Sequence, residues 1–229
     1  MTDSDIADVI AGFARSAGYA KQLGFDGVEI HGAHGYVIDQ FFWEGTNQRG
    51  DSYGGSLEAR TRFATDIVTA VRAAVGPDFP VLLRFSQWKQ QDFGAKLARD
   101  PAELERFLSP LVDAGVDCFH CSTRRFWEPE FLETGSDLNL AGWTKKLAGK
   151  PTVTVGSVSL NEDFITAYRA KGAETAGIDR LLEMLARGDF DLVAVGRALI
   201  VNPDWPNKVR SGKFDQLKSY SPEALATLD

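Results

Sequence analysis

Short apolar strands alternate with amphipathic helices along this sequence, and the alternation restricts its possible folds more than any other feature. Strands joined by helices form parallel sheets with right-handed crossovers, so we predict an α/β protein. The near-continuous apolar run PVLLRF at 80–85 is typical of a strand that is buried on both faces of such a sheet. The predicted strands are Gly27–Ile30, Pro80–Phe85, Val116–Ser122, Pro151–Gly156 and Leu192–Gly196.

Helices are predicted where apolar residues recur at helical spacing between start and stop residues. Gly24 ends the first helix, and Gly76-Pro77 ends the second, which opens at Ser56. A long polar loop through Asn47 is predicted before that second helix, and the tail around Leu217–Leu228 is predicted to be a short packed extension. The first helix is predicted over Ser4–Leu23, and the helices after the second are predicted over Pro101–Ala114, Trp143–Leu147, Glu162–Arg169, Ile178–Arg187 and Asp204–Ser211.

Five strands are compatible with two architectures. They could form an open doubly wound sheet, or they could be the last part of a (β/α)8 barrel, which typically needs about 250 residues. The length of 229 residues suits one globular domain, and no linker, low-complexity segment or close repeat divides the chain.

Composition excludes several classes of function. The formal net charge of −7 disfavours a general nucleic-acid role, which needs clustered lysines and arginines. No apolar run approaches the roughly 18 residues of a membrane helix, and the acidic N-terminus is unlike the basic start of a signal peptide, so we expect a cytoplasmic protein without a membrane partner. The two cysteines, Cys118 and Cys121, are too few for a zinc or iron–sulfur centre and fit alternating, reduced residues of a buried strand.

Two of the three histidines and a tyrosine lie within the segment HGAHGY, directly after the first predicted strand. Parallel α/β folds carry their chemistry at the carboxyl ends of strands, so this segment is a candidate site. A metal site would need a third donor, such as Glu29 or Asp39, and nucleophilic catalysis would need a Ser or Cys in a strained turn. In a third interpretation, His31 and His34 donate hydrogen bonds to a carbonyl oxygen and Tyr36 supplies a proton.

Glycine turns follow the last two predicted strands, at Gly156-Ser157 and Gly196-Arg197. Barrels frequently bind a phosphate between the loops after strands seven and eight, because backbone N–H groups and a short helix favour the anion there. Alternatively, Gly-Arg only closes a helix and pairs with a surface carboxylate. Because equivalent turns occur in two successive units, we predict a phosphate site, which makes the strand before His31 the fourth of a barrel.

Arg84 stands near the end of an otherwise apolar strand. A buried charge is costly without a partner, so Arg84 should meet either a structural carboxylate or an anionic ligand at the mouth of the barrel. The sequence slightly favours the ligand.

The segment GFDGVEIHGAHGYVIDQFFWEGTNQRGDSYGGSLEARTRF resembles the core motif of the Old Yellow Enzyme family, the FMN-dependent NAD(P)H:flavin oxidoreductases and ene-reductases. PVLLRFS, PTVTVGSVS and LVAVGRALIVNPDW resemble later barrel strands of that family. The resemblance covers essentially the whole chain. It implies an incomplete TIM (β/α)8 barrel, in which residues 1–229 form one partial domain with strands four to eight and the first three β/α units are absent.

The resemblance also implies roles for individual residues. His31 and His34 correspond to residues that bind the carbonyl or phenolate oxygen of the substrate, and Tyr36 corresponds to the proton donor. Arg84 corresponds to the arginine beside the pyrimidine end of FMN. The residues that correspond to the FMN phosphate cradle are Gly156, Ser157, Gly196 and Arg197. Ala59 replaces the asparagine that is usual in the SLENR stretch, and we expect little effect from this change.

The implied activity is a two-step hydride transfer, from NAD(P)H to FMN and then to the β-carbon of a small α,β-unsaturated carbonyl compound. A homo-oligomer is compatible with it. The alternative is a truncated, inactive fragment that cannot hold FMN on its own, since a barrel without three strands leaves two unpaired edges. A non-redox phosphate-binding barrel, such as an aldolase, lacks a supporting lysine or carboxylate pair at a strand end.

Overall fold

The computed structural model describes residues 1–169 and 172–226, and five strands within them form one parallel sheet. The strands lie side by side in sequence order, from β1 to β5. A doubly wound sheet reverses its strand order at a switch point, whereas a barrel wall does not, so the prediction of part of a (β/α)8 barrel is confirmed. The strands are β1 (Val28–Gly32), β2 (Val81–Ser86), β3 (Cys118–Ser122), β4 (Thr152–Val155) and β5 (Leu192–Val193).

Helices connect the strands and cover the outer face of the sheet. Residues 227–229 lie outside the described residues, so the predicted packed tail is described only as far as residue 226, where it includes a short 3₁₀ turn, Pro222–Leu225. The helices are α1 (Asp3–Gln22), α2 (Val37–Phe42), α3 (Leu57–Val75), α4 (Pro101–Ala114), α5 (Leu140–Ala148), α6 (Phe164–Arg169), α7 (Asp179–Ala186), α8 (Arg197–Val201) and α9 (Trp205–Arg210).

The apolar core lies between the sheet and these helices. Phe85 of β2 and Phe119 of β3 face it, fully buried, with their ring centroids 6.1 Å apart. Phe107 of α4 packs against Phe85 at 5.3 Å. Helix α4 begins at a side-chain cap, because the Asp100 side chain accepts a hydrogen bond from the Glu103 backbone N–H.

Strand register aligns polar side chains in rows on the opposite, concave face. His31 of β1 is level with Arg84 of β2, which in turn is level with His120 of β3. Two residues nearer the carboxyl ends of the strands, Ser86 is level with Ser122. Because alternate residues of a strand face opposite sides, these polar residues share one face and point away from the apolar core.

Three sequence interpretations need correction. The segment after β1 is not a continuous loop, because Val37–Phe42 forms the short helix α2. Cys118 and Cys121 are both buried in β3, but their spacing of three residues puts them on opposite faces of the strand, so they do not alternate on one face. The last strand is also shorter than predicted, since β5 ends at Val193.

Candidate functional site

The turn after β1 brings the HGAHGY side chains together at the carboxyl edge of the sheet. The ring of His31 lies 5.2 Å from the ring of His34 and 5.3 Å from the ring of Tyr36. His34 has a left-handed backbone, with φ of 64°, a conformation that costs energy for a residue with a side chain. Its backbone N–H donates to Ser86 Oγ at 3.1 Å, which fixes the turn to the end of β2.

A buried ion pair holds the next residue of the turn. The backbone N–H of Gly35 donates to Asp39 Oδ2 at 2.7 Å, and Lys89 Nζ donates to Asp39 Oδ1 at 2.5 Å. Neither charged side chain is exposed to solvent. Burial raises the pKa of Asp39 and lowers the pKa of Lys89, while their mutual attraction acts against both changes. Both carboxylate oxygens of Asp39 are therefore engaged in holding the turn.

Glu29, the other candidate metal donor, is also engaged elsewhere. Its Oε2 lies 2.8 Å from Nδ1 of His120 on β3. Within residues 1–169 and 172–226, no group of three or more His, Cys, Asp or Glu side chains is arranged to hold a metal ion. In the same part of the chain, no helix is both long enough and apolar enough to span a membrane.

The imidazole of His34 is held by an indole and a hydroxyl group. It stacks on Trp88 with ring centroids 4.7 Å apart and an interplanar angle of 21°. Its Nε2 lies 2.7 Å from Ser122 Oγ. Burial, followed by the positive charge of Arg84, lowers the pKa of His34 to about 4, and the same two causes lower the pKa of His31. His34 is therefore a neutral imidazole at pH 7.

Arg84 has no carboxylate within ion-pair distance among the described residues. Its Nη2 donates to Ser122 Oγ at 3.4 Å, and its Nε is buried without a hydrogen-bond partner. Burial lowers the pKa of this guanidinium, although the charge of Glu29 opposes that effect. An unpaired, buried N–H group is costly, so the arrangement favours the prediction that Arg84 meets an anionic or polar ligand.

The two glycine turns meet beside each other past the ends of β4 and β5. Ser157 Oγ donates to Glu162 O at 2.9 Å, and Arg197 Nη2 donates to the same carbonyl at 2.6 Å. Among the described residues, no carboxylate lies within ion-pair distance of Arg197. Its Nη1 is buried without a partner, and burial lowers the pKa of the group.

The glycines themselves differ in what surrounds them. Gly156 has φ of 137°, and an added Cβ would lie 2.7 Å from Thr123 O, so the position admits glycine alone. Gly196 precedes α8 and has no atom within 4 Å of an added Cβ, so the space beside it is open.

One cavity of about 320 Å³ joins the two halves of the candidate site. Seven of the eight predicted site residues line it, whereas His31 lies beside His34 but outside the cavity wall. Val155, Val158 and Leu160 add apolar surface to its wall, and no acidic side chain is among the described lining residues. The predicted residues in the wall are His34, Tyr36, Arg84, Gly156, Ser157, Gly196 and Arg197.

Several lining residues were missed from the sequence. Trp88, in the loop after β2, and Phe164, the first residue of α6, form an aromatic wall with ring centroids 5.8 Å apart. Ser122 and Arg124 come from the end of β3 and the loop after it. The signal for these two was their position at the end of the predicted strand Val116–Ser122 and two residues past it, in CFHCSTRR.

The residues present fit the FMN that the sequence resemblance implies. Arg84, Arg124 and Arg197 all line one cavity, and each has a buried nitrogen atom without a hydrogen-bond partner among the described residues. A flavin mononucleotide carries a phosphate at one end and the polar pyrimidine edge of its ring at the other, joined by a hydroxylated chain. The open space beside Gly196 and its arginine neighbour suits the phosphate, and Arg84 suits the ring edge.

Known proteins resemble the chain along most of its length. It is 36% identical over 224 residues to NADH oxidase of Thermoanaerobacter brockii and 32% identical over 236 residues to cinnamate reductase of Clostridium sporogenes; each match covers 95% of this chain and about a third of the relative, 31% and 33%. A solved structure of morphinone reductase in complex with tetrahydroNAD superposes with a TM-score of 0.74 and 26% identity, covering 98% of this chain and 53% of that chain.

The similarity therefore shows the family but spans only part of each relative. Across eight curated relatives, the chain covers between 30% and 57% of their length. Residues 1–216 match the sequence profile of the NADH:flavin oxidoreductase / NADH oxidase family. Because this match covers more than half of the chain, the chain belongs to the NADH:flavin oxidoreductase / NADH oxidase family.

Proposed function

We propose that this chain provides the flavin site and the proton-transfer residues of an NAD(P)H-dependent ene-reductase. The observation that carries the proposal is the single cavity that joins His34 and Tyr36 to the glycine turns of β4 and β5. FMN, when bound, would supply the hydride chemistry, taking hydride from NAD(P)H and delivering it to an activated C=C bond. Relatives named cinnamate reductase and putative 12-oxophytodienoate reductase-like protein 1 support a small unsaturated carbonyl compound as the substrate.

In this proposal the histidines hold the carbonyl oxygen of the substrate. Ser122 Oγ accepts from Arg84, so its hydrogen is free to be donated to Nε2 of His34. His34 then carries its own hydrogen on Nδ1 and is a neutral donor. Such a donor stabilises the negative charge that develops on the oxygen as hydride reaches the β-carbon. His31, beside it, is the second donor.

Tyr36 completes the reaction by donating a proton to the α-carbon. Its side chain is half-exposed, lines the cavity and contacts the ring of His31. The backbone of this residue is held by its neighbours, since the ion pair of Asp39 and Lys89 fixes Gly35. A phenol that is placed this way acts as a general acid toward carbon.

Single-turnover kinetics of the flavin-loaded chain test these roles separately. Reduction by NADPH should be little changed in Tyr36→Phe, because no proton is delivered to carbon in that half-reaction. Reoxidation by 2-cyclohexenone should slow by about 10²- to 10⁴-fold, the usual contribution of general acid catalysis. Tyr19→Phe, at an exposed position on α1, is the matched control. Equal reoxidation rates for Tyr36→Phe and the unaltered chain would refute the assignment.

The second candidate is a fragment that cannot hold FMN by itself. Within the described residues, β1 and β5 each pair with one neighbour only, so one edge of each is unpaired, and the match to relatives is partial. An unpaired edge favours association or aggregation. A colourless protein after purification with excess FMN would support this candidate, whereas a yellow, monodisperse protein would support the enzyme.

A further inference from the structure

Arg124, in the loop after β3, is a cavity-lining arginine to which the sequence motifs assign no role. Its Nη2 donates to Asp163 Oδ2 at 2.8 Å, while its Nε is buried and has no hydrogen-bond partner. The guanidinium lies over the ring of Phe93, 5.0 Å from the centroid. Stacking occupies one face of the guanidinium and leaves its N–H edge available, which is the edge that binds carboxylates and phosphates.

The anchoring of Arg124 places it next to the arginine of the glycine turn. Arg124 binds the side chain of Asp163, and Arg197 binds the backbone carbonyl of the preceding residue, Glu162. Ser157 links the two, because its hydroxyl group lies 3.0 Å from Arg124 O and 3.4 Å from Arg197 Nη2. Both arginines therefore approach the same loop, line the same cavity and retain one buried nitrogen without a partner.

Asp163 makes this arrangement rigid. The carboxylate is fully buried and binds two guanidinium groups, of Arg124 and Arg125, at 2.8 and 2.7 Å. Burial raises its pKa, but hydrogen bonds from Thr166 and Arg124 outweigh that effect and hold the pKa at about 2. Arg125 also pairs with Glu128 at 3.2 Å, so the carboxylates of Asp163 and Glu128 balance the charges of Arg124 and Arg125. Arg197 has no carboxylate within ion-pair distance among the described residues, so its charge is a surplus beside the open glycine turn, and this surplus suits an anionic group.

We infer that Arg124 is a second arginine of the phosphate cradle, donated by the loop after β3 in addition to the two glycine turns. The inference rests on the FMN site proposed above. Two preordered guanidinium groups present N–H donors to the phosphate of FMN, and Asp163 and Phe93 hold one of them in place before the ligand arrives, which lowers the entropic cost of binding.

The test compares FMN with riboflavin, which has the same ring and side chain but no phosphate. Dissociation constants for both are measured by quenching of flavin fluorescence with Arg124→Gln, Arg197→Gln and the unaltered chain. Arg125→Gln is the matched control, because Arg125 shares Asp163 but does not line the cavity. Losing one charge-assisted hydrogen bond corresponds to about a 10- to 100-fold weaker complex.

We expect Arg124→Gln to weaken FMN binding by that factor and riboflavin binding by less than about twofold, with Arg124→Lys recovering part of the loss. Unchanged riboflavin binding also shows that the variant is folded. Equal losses for FMN and riboflavin, or a loss in Arg125→Gln as large as in Arg124→Gln, would overturn the inference. So would unchanged FMN binding together with weaker binding of a carboxylate substrate. If the unaltered chain bound neither flavin, the proposed function would fail as well.

Discussion

Lys89 offers the strongest test of how the histidine turn, residues 31–36, is held. Its ammonium group and the carboxylate of Asp39 are both inaccessible to solvent, and the other carboxylate oxygen accepts the N–H of Gly35. Lys89→Met keeps the length and apolar volume of the side chain but leaves a buried carboxylate without its cation. Removing one partner of a buried pair costs about 3–5 kcal/mol, a large share of the roughly 5–15 kcal/mol that holds a domain together.

The assay is urea denaturation followed by circular dichroism, with slopes compared to confirm two-state unfolding. Lys96→Met is the matched control from the same loop, since Lys96 pairs with Glu130 but is about half exposed, at 53%. We expect that control to lose less than about 1 kcal/mol, as exposed pairs usually do. The double variant Lys89→Met/Asp39→Asn should recover most of the loss, because no charge is then buried alone. Equal losses for Lys89→Met and Lys96→Met would refute this account of the turn.

Three further predictions concern the glycine turns, the pH dependence and the thiols. Gly156→Ala should destabilise the fold by about 1–3 kcal/mol, since the left-handed backbone and a carbonyl oxygen 2.7 Å from the added Cβ oppose it. Gly196→Ala, with no atom within 4 Å, should leave the urea midpoint unchanged and weaken FMN binding relative to riboflavin. The pKa of His34 is about 4 in the folded chain, whereas its ordinary value is 6.5. Between pH 4 and pH 6.5, His34 therefore binds a proton more readily in the unfolded chain than in the folded chain. Unfolding free energy should therefore fall as pH drops from 6.5 to 4, and His34→Asn should flatten that fall in urea titrations. Burial raises the pKa of Cys118 to about 11 and raises that of Cys121 as well, so both thiols should react far more slowly than free cysteine with iodoacetamide at neutral pH, until urea unfolds the chain.

The elements that could be predicted are those whose signals are local. Helix α4 has an Asp cap, a proline at its first position and a terminal glycine in the left-handed conformation, all readable from sequence. The missed helix α2 has no such start, because Tyr36 precedes it without a side-chain cap. Buried contacts of Ile38 and Phe42 stabilise it instead. These contacts depend on the rest of the fold, which a local pattern does not reveal.

Some parts of the candidate site could likewise be predicted from local sequence motifs, whereas others depend on the fold. The histidine turn and the two glycine turns are continuous motifs that follow strands, so sequence alone could place them at one edge of a parallel sheet. Trp88 and Phe164 are 76 positions apart in the sequence (164 − 88), so their contact depends on which segments meet above that edge in the fold. Asp163, a partner of Arg124, is likewise distant from it in the sequence, by 39 positions. The catalytic and binding roles of the motif residues remain predictions, and the shared cavity is what supports them.

The number of flavins bound per chain tests whether FMN occupies the cavity that Arg84 and Arg197 line. The purified chain, dialysed to equilibrium against FMN, should hold one flavin per chain, and replacing both Arg84 and Arg197 with glutamine should abolish that binding. We expect this result because Arg84 on β2 and Arg197 after β5 line one cavity from strands that are separated by two others, and each has a buried nitrogen without a partner among the described residues. Binding of one FMN per chain that persisted in the double variant would contradict it, since the flavin would then occupy a different site.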